Sequence, residues 1–123
     1  GIMFNHESNL RPQRFVTRKI CKAAARIALG SDEILKLGDI SIKRDWGWAP
    51  NYVQAMWKIL QQKEAEDFVI ATGYLNELSE FIKNAFSSLN LNWESYVTSN
   101  PNLAQNQNFL TPKTQTCIRI KIS

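Results

Sequence analysis

An α/β fold is predicted for this chain by three observations. Short apolar runs at residues 1–4, 34–37 and 68–72 alternate with longer stretches that carry helical periodicity. Glycines punctuate the segments: Gly30 follows the first helical stretch, Gly38 the second apolar run and Gly73 the third. The resulting β-α-β-α-β-α-β order is the pattern that places strands mainly in one sheet. A sheet of so few short strands is narrow and normally needs neighbours. The sequence therefore reads as one part of a larger soluble α/β enzyme.

Taken in order, Gly1-Ile2-Met3-Phe4 is apolar and is predicted to be a buried strand. Residues 5–12 are polar and end in Pro12, which predicts a loop. A helix is predicted over residues 13–29, closed by Gly30. Val16, Ile20, Ala23, Ala24 and Ile27 form its apolar stripe, with Cys21 on the same side. Arg14, Arg18, Lys22 and Arg26 line the opposite face, and Lys19 sits between the two stripes. Residues 34–37 read as a strand, and residues 41–49 as an irregular, Trp-rich segment. Pro50 suits the first turn of a second helix, where its missing N–H does no harm. Val53, Met56, Trp57 and Leu60 are its predicted apolar face, and it should end near Gln62. Residues 68–72 are the clearest strand. Asn76 is a candidate cap for a third helix, in which Leu78, Phe81, Ile82, Ala85, Phe86 and Leu89 keep helical spacing. One more strand is expected at residues 93–98.

Residues 99–116 are dominated by Asn, Gln, Thr and Pro and have little to bury against the cost of ordering. The alternation in Ile118-Arg119-Ile120-Lys121-Ile122 resembles an edge strand. The expected organisation is a binding portion over residues 1–98 and a divergent, disordered or truncated tail over residues 99–123.

Composition narrows the function classes. The chain has 123 residues, 44% of them hydrophobic and 21% charged, which is ordinary for a globular protein. No apolar run reaches the roughly 18 residues of a membrane span. A polar segment follows Phe4 at once, so no signal peptide is expected. An opening Gly1 without Met points to a fragment. Cys21 and Cys117 are too few and too far apart for a zinc site and read as two thiols of a reducing, cytoplasmic compartment. With His6 as the single histidine, neither a metal centre nor a Cys–His nucleophile pair is expected.

The formal charge of +4 is uneven. Residues 1–30 hold Arg11, Arg14, Arg18, Lys19, Lys22 and Arg26 against Glu7 alone, whereas residues 31–100 have six basic and ten acidic side chains. A positive field at the start suits an anionic ligand. The basic helix face reads better as a solvated surface than as a nucleic-acid footprint, since no base-stacking aromatics accompany it.

The common nucleotide-binding motifs, G-x-G-x-x-G and G-x-x-x-x-G-K-[ST], are absent, as is H-E-x-x-H. Asn5-His6-Glu7-Ser8 follows a strand, where α/β sheets bind ligands, but by position alone a polar turn is the better reading. Arg11 could meet a phosphate or only solvent. In Lys43-Arg44-Asp45-Trp46-Gly47-Trp48, Arg44 could pack locally or face a phosphate or base.

Six segments in order decide between these readings: Gly1-Ile2-Met3-Phe4-Asn5-His6-Glu7-Ser8, Phe15-Val16-Thr17-Arg18-Lys19-Ile20, Lys43-Arg44-Asp45-Trp46-Gly47, Tyr52-Val53-x-Ala55-Met56-Trp57, Leu60-Gln61-Gln62 and Glu66-Asp67-Phe68-Val69-Ile70-Ala71-Thr72-Gly73. Together they resemble the GDP-mannose 4,6-dehydratases, over about residues 1–100. The resemblance implies the C-terminal portion of an extended short-chain dehydrogenase/reductase (Rossmann-type) fold, lacking the N-terminal cofactor-binding half. It implies an NADP-dependent lyase that acts on GDP-mannose. It also implies cofactor contacts at His6 and Arg11, and substrate contacts at Asn5, Val16, Lys19 and Arg44. The family's Gly-rich loop, Tyr-x-x-x-Lys pair and Thr and Glu acid/base residues have no counterpart here, so no catalytic residue is expected and the chain should be inactive alone. A homo-oligomer is expected for the full-length enzyme, with no nucleic-acid or membrane partner. Departures occur: Trp48 and Asn51 replace the family's usual His and Asp, and Asn9-Leu10 replaces Pro-Arg while Arg11 remains. A related nucleotide-sugar epimerase or reductase, or a non-catalytic remnant, are the alternatives.

Overall fold

The structure is a computed structural model in which residues 1–101 are described. The expected tail, the edge strand at 118–122 and Cys117 lie outside the described residues, apart from the few positions up to 101. The elements run β1 (Ile2–Met3), β2 (Asn5–Glu7), α1 (Val16–Ala28), β3 (Leu35–Leu37), β4 (Lys43–Arg44), β5 (Trp46–Trp48), α2 (Ala49–Leu60), β6 (Val69–Ile70), β7 (Asn76–Glu77), α3 (Leu78–Ser87), a 3-10 turn (Trp93–Ser95) and β8 (Val97–Ser99). This is an α/β chain, but its described strands form two-stranded pairs instead of lying mainly in one sheet. It divides into two compact units.

The first unit contains residues 1–8 and 44–75. Its central segment changes partner as it runs. Ile2 and Met3 pair in parallel with Val69 and Ile70. Asn5, His6 and Glu7 then pair in parallel with Trp46, Gly47 and Trp48. Two corrections follow. Residues 5–7 are a strand and not a loop, because backbone pairing with β5 satisfies their polar groups whatever their side chains. The supposedly irregular 41–49 segment supplies that partner. β1 is a strand as expected but is not buried: Ile2 is 63% exposed.

Helix α2 begins with Pro50 in its first turn, as expected. Its buried face differs from the expected one. Val53, Trp57 and Leu60 are exposed, and Tyr52 is buried, with Ala55, Met56 and Ile59 partly covered. The stripe is thus Tyr52-Ala55-Met56-Ile59, an equally regular i, i+3, i+4, i+7 series rotated from the expected one.

The second unit contains residues 9–43 and, among the described residues, 76–101. Ile20, Ala23, Ala24 and Ile27 of α1 are buried, together with Thr17. Val16 is only half-covered and Cys21 is exposed, because Thr17 and not Cys21 completes the stripe. Leu78, Ile82 and Phe86 form the buried face of α3, and α1 packs on α3. Small Ala23 and Ala24 allow the close approach that ridge-and-groove packing needs. β3 and β8 pair in parallel, Leu35 beside Val97 and Leu37 beside Ser99, and Leu35 and Leu37 point into the core.

Both helices of this unit end in the same way. The Gly30 N–H donates to Ile27 O at 2.9 Å and Ser31 N–H to Arg26 O at 3.1 Å, a Schellman closure with Gly30 left-handed at φ +96°. Asn90, at φ +59°, plays that part after α3, with Leu91 N–H donating to Phe86 O. At its start, α3 does not use Asn76 as a cap. Asn76 lies in β7, and the carbonyls of Ile42 and Ile40 accept from Leu78 and Ser79 N–H at 2.9 Å each. Backbone acceptors thereby replace the side-chain cap.

Candidate functional site

The six expected contact residues fall three to each unit: Asn5, His6 and Arg44 in the first, Arg11, Val16 and Lys19 in the second.

In the first unit, Asn5 is exposed and His6 half-buried on successive positions of β2, so their side chains leave opposite faces of the strand. The His6 ring is fixed from two sides. Its Nδ1 lies 3.0 Å from the Phe4 carbonyl oxygen. Its plane stacks on Tyr52, with centroids 4.8 Å apart and planes inclined by 27°. Tyr52 reaches this position because Gly47, the register partner of His6, has no side chain. A Cβ on Gly47 would collide with the Tyr52 ring and lie 2.9 Å from its hydroxyl oxygen. Tyr52 is 2% exposed, and its hydroxyl has no hydrogen-bond partner among the described residues. Burial raises the phenol above its ordinary pKa, and the nearby Asp45 carboxylate adds to the rise.

Asp45 stabilises the place where the central segment changes partner. By register it lies beside Phe4 on one flank, as Ala71 does on the other. Its Oδ1 accepts from Thr72 N–H at 3.1 Å and Thr72 Oγ1 at 2.8 Å. Oδ2 accepts from Gly73 N–H at 2.8 Å. The carboxylate therefore ties the entry of β5 to the exit of β6, and Asn5 and His6 project from the segment between. Arg44 immediately precedes this clamp and is half-buried. The neighbouring carboxylate of Asp45 is thus engaged by Thr72 and Gly73.

In the second unit, the Arg11 guanidinium lies over the Phe15 ring, 3.6 Å from its centroid, and Arg14 shares that ring at 4.9 Å. Such contacts fix the plane of a guanidinium, and the Arg11 Nε is buried. Phe15 is the N-cap of α1 and offers no side-chain cap, so the positive end of the helix adds to the two arginines. Val16 opens α1. Lys19 does reach past the edge of its helix, as its border position suggested, but its ammonium donates to the Lys36 carbonyl of β3 at 2.9 Å.

Sequence reasoning quoted Tyr52, Gly47, Asp45 and Thr72 only as parts of matching segments. Two signals could have found Gly47 and Tyr52. A Gly inside a strand often marks a close approach, and Tyr52-Ala55-Met56-Ile59 was available as a second helical stripe. Among the described residues, no group of three or more His, Cys, Asp or Glu could hold a metal ion, and no helix is long and apolar enough to cross a membrane.

Residues 1–120 match the family model described as GDP-mannose 4,6 dehydratase. The chain is 55% identical over 91 residues to a GDP-mannose 4,6 dehydratase of Dictyostelium discoideum, which covers 74% of this chain and 26% of that protein. It is 54% identical over 86 residues to the GDP-mannose 4,6 dehydratase of Homo sapiens, covering 70% and 23% respectively. It thus spans about a quarter of the length of these curated relatives. The solved structure of RMD from Pseudomonas aeruginosa complexed with NADPH superposes with a TM-score of 0.72 at 21% identity, over 79% of this chain and 33% of that one. That likeness identifies the fold as the one shared with RMD.

Proposed function

From the premise that the chain belongs to the GDP-mannose 4,6-dehydratase family, we propose that it is the portion of such an enzyme that holds the nucleotide sugar and part of the cofactor. Asn5, Val16, Lys19 and Arg44 contact GDP-mannose, and His6 and Arg11 contact NADP. NADP supplies the hydride acceptor and donor for a reaction in which hydride leaves mannose C4, water is lost across C5 and C6, and hydride returns to C6. The product is GDP-4-dehydro-6-deoxymannose.

The side chains fit these ligands. A guanidinium held on an aromatic ring suits a phosphate, to which it donates charge-assisted bonds. His6, engaged through Nδ1, keeps its second ring nitrogen for a ligand. The Asn5 amide both donates and accepts, as a sugar or phosphate contact requires. The role of these residues is to bind and orient. None of them is assigned to bond making, and the chain alone is proposed to be inactive, cytoplasmic, and a homo-oligomer only within the full-length enzyme.

The observation that carries this reading is the rigid presentation of Asn5 and His6 from a strand clamped by Asp45. The experiment is a thermal-shift and calorimetric titration of the chain with GDP-mannose, UDP-glucose and a dTDP-sugar, with a parallel assay for 4-keto product in the presence of NADP. GDP-mannose is expected to raise the melting temperature most, with no product formed. Preference for another nucleotide sugar, or turnover, refutes the corresponding half of the proposal.

A further inference from the structure

We infer that Tyr52 is a positioning residue that holds His6 as the Nδ1–H tautomer, so that Nε2 faces its ligand as a hydrogen-bond acceptor. The inference begins with the 3.0 Å contact between His6 Nδ1 and the Phe4 carbonyl oxygen. A carbonyl only accepts, so the bond exists only when Nδ1 carries the proton. In a neutral imidazole the other nitrogen is then bare. Free histidine in water prefers the opposite tautomer, so the protein must impose this one.

The carbonyl alone does not fix the ring, which can rotate away about its side-chain torsions. Tyr52 prevents that by stacking on the imidazole at 4.8 Å. Tyr52 is itself immobilised: it is 2% exposed, and its ring occupies the space that a side chain at Gly47 would need. The face of the ring does this work and the phenol does not. The hydroxyl bonds to nothing among the described residues.

The tautomer selects the chemistry of the ligand atom. A bare Nε2 accepts from a donor, such as the carboxamide N–H or a ribose hydroxyl of a nicotinamide dinucleotide. It repels a phosphate oxygen, which also only accepts. This last step rests on the proposed NADP contact of His6, whereas the tautomer and the role of Tyr52 do not.

His6 is the only histidine in the chain, so long-range proton–nitrogen correlation spectra of the uniformly labelled chain contain one imidazole. In the ligand-free chain at a pH where imidazole is neutral, Nδ1 is expected to resonate as a protonated nitrogen and Nε2 as an unprotonated one. Tyr52→Phe should preserve this signature, and Tyr52→Leu should return it to the mixture seen for free histidine. An Nε2–H tautomer in the unmodified chain, or a Nδ1–H signature that survives Tyr52→Leu, overturns the inference. Should Tyr52→Leu fail to fold, ring-to-ring nuclear Overhauser contacts between His6 and Tyr52 in the unmodified chain decide the positioning claim, and their absence overturns it. NADP is then titrated in. A shift of Nε2 alone, with its nitrogen still unprotonated, supports a donor ligand, and protonation of both nitrogens overturns that assignment. No response to NADP removes the cofactor reading and leaves the tautomer result standing.

Discussion

The carboxylate of Asp45 holds Thr72 twice, through its backbone N–H at 3.1 Å and its hydroxyl at 2.8 Å, both on Oδ1. The second oxygen takes Gly73 N–H at 2.8 Å. Asp45 is 8% exposed, so these donors are its replacement for water. Asp45→Asn puts an amide N–H against a backbone N–H at one of the two oxygens and is expected to cost about 1–3 kcal/mol. Thr72→Val removes only the hydroxyl and should cost about 1 kcal/mol. The double variant should fall short of the sum, as contacting residues do. Urea unfolding midpoints check this: they should fall with little change in slope. Additive losses would show that Asp45 and Thr72 act independently.

Gly47 and Tyr52 make a second, steric prediction. Any side chain at Gly47 meets the Tyr52 ring, and overpacking of this kind costs about 1–3 kcal/mol. Gly47→Ala should destabilise the chain by that amount, measured by denaturant titration. Combining Gly47→Ala with Tyr52→Leu, which makes room, should cost less than the two single changes together. Glycine in this strand is thus explained by the ring and not by its backbone angles.

Tyr52 also predicts a pH dependence. Its folded-state pKa is raised, chiefly by burial and then by Asp45. The folded chain therefore holds the phenolic proton more tightly than the unfolded chain does. By linkage, the stability tied to this proton is complete below the ordinary tyrosine value of about 10 and is lost as pH rises through the folded value. Unfolding midpoints should drop above about pH 10, and Tyr52→Phe should reduce that drop. The hydroxyl has no partner among the described residues, so at neutral pH Tyr52→Phe should leave stability unchanged or slightly higher. A large loss at neutral pH would reveal a hydrogen bond at the phenol.

What could be read from the sequence, and what could not, follows from the range of the forces involved. α1 and α3 were legible because their stripes depend on residues within a turn or two: Ile20, Ala23, Ala24 and Ile27, and Leu78, Ile82 and Phe86, are all buried, although Leu89, expected in the α3 stripe, is exposed beyond the helix end at Ser87. The Gly30 closure was legible for the same local reason. β2 was not, because Asn5-His6-Glu7 has no strand-like composition and becomes a strand only through pairing with β5, some forty residues away. The face of α2 was misread because two stripes were equally periodic, and choosing Tyr52 over Val53 and Trp57 depended on the gap at Gly47. In the site, the electropositive start of the chain was legible from charge. The Asp45 clamp was not, since its donors are backbone and side-chain groups 27 and 28 positions away.

Lys19 offers the sharpest separation of structure from ligand. Its ammonium donates to the Lys36 carbonyl at 2.9 Å on an exposed surface, where one such bond contributes about 1 kcal/mol or less. A charge-assisted bond to a diphosphate is worth about 1.5–3 kcal/mol, roughly 10- to 100-fold in affinity. Lys19→Met keeps the aliphatic stem and deletes the charge. It should therefore lower stability by less than about 1 kcal/mol while weakening GDP-mannose binding by roughly ten-fold or more at fixed ionic strength. Lys36→Ala leaves the accepting carbonyl in place and should change neither quantity appreciably. Calorimetric titration beside thermal unfolding of the same samples reads both effects. A lysine that serves only β3 gives the reverse result, a loss of stability with unchanged affinity.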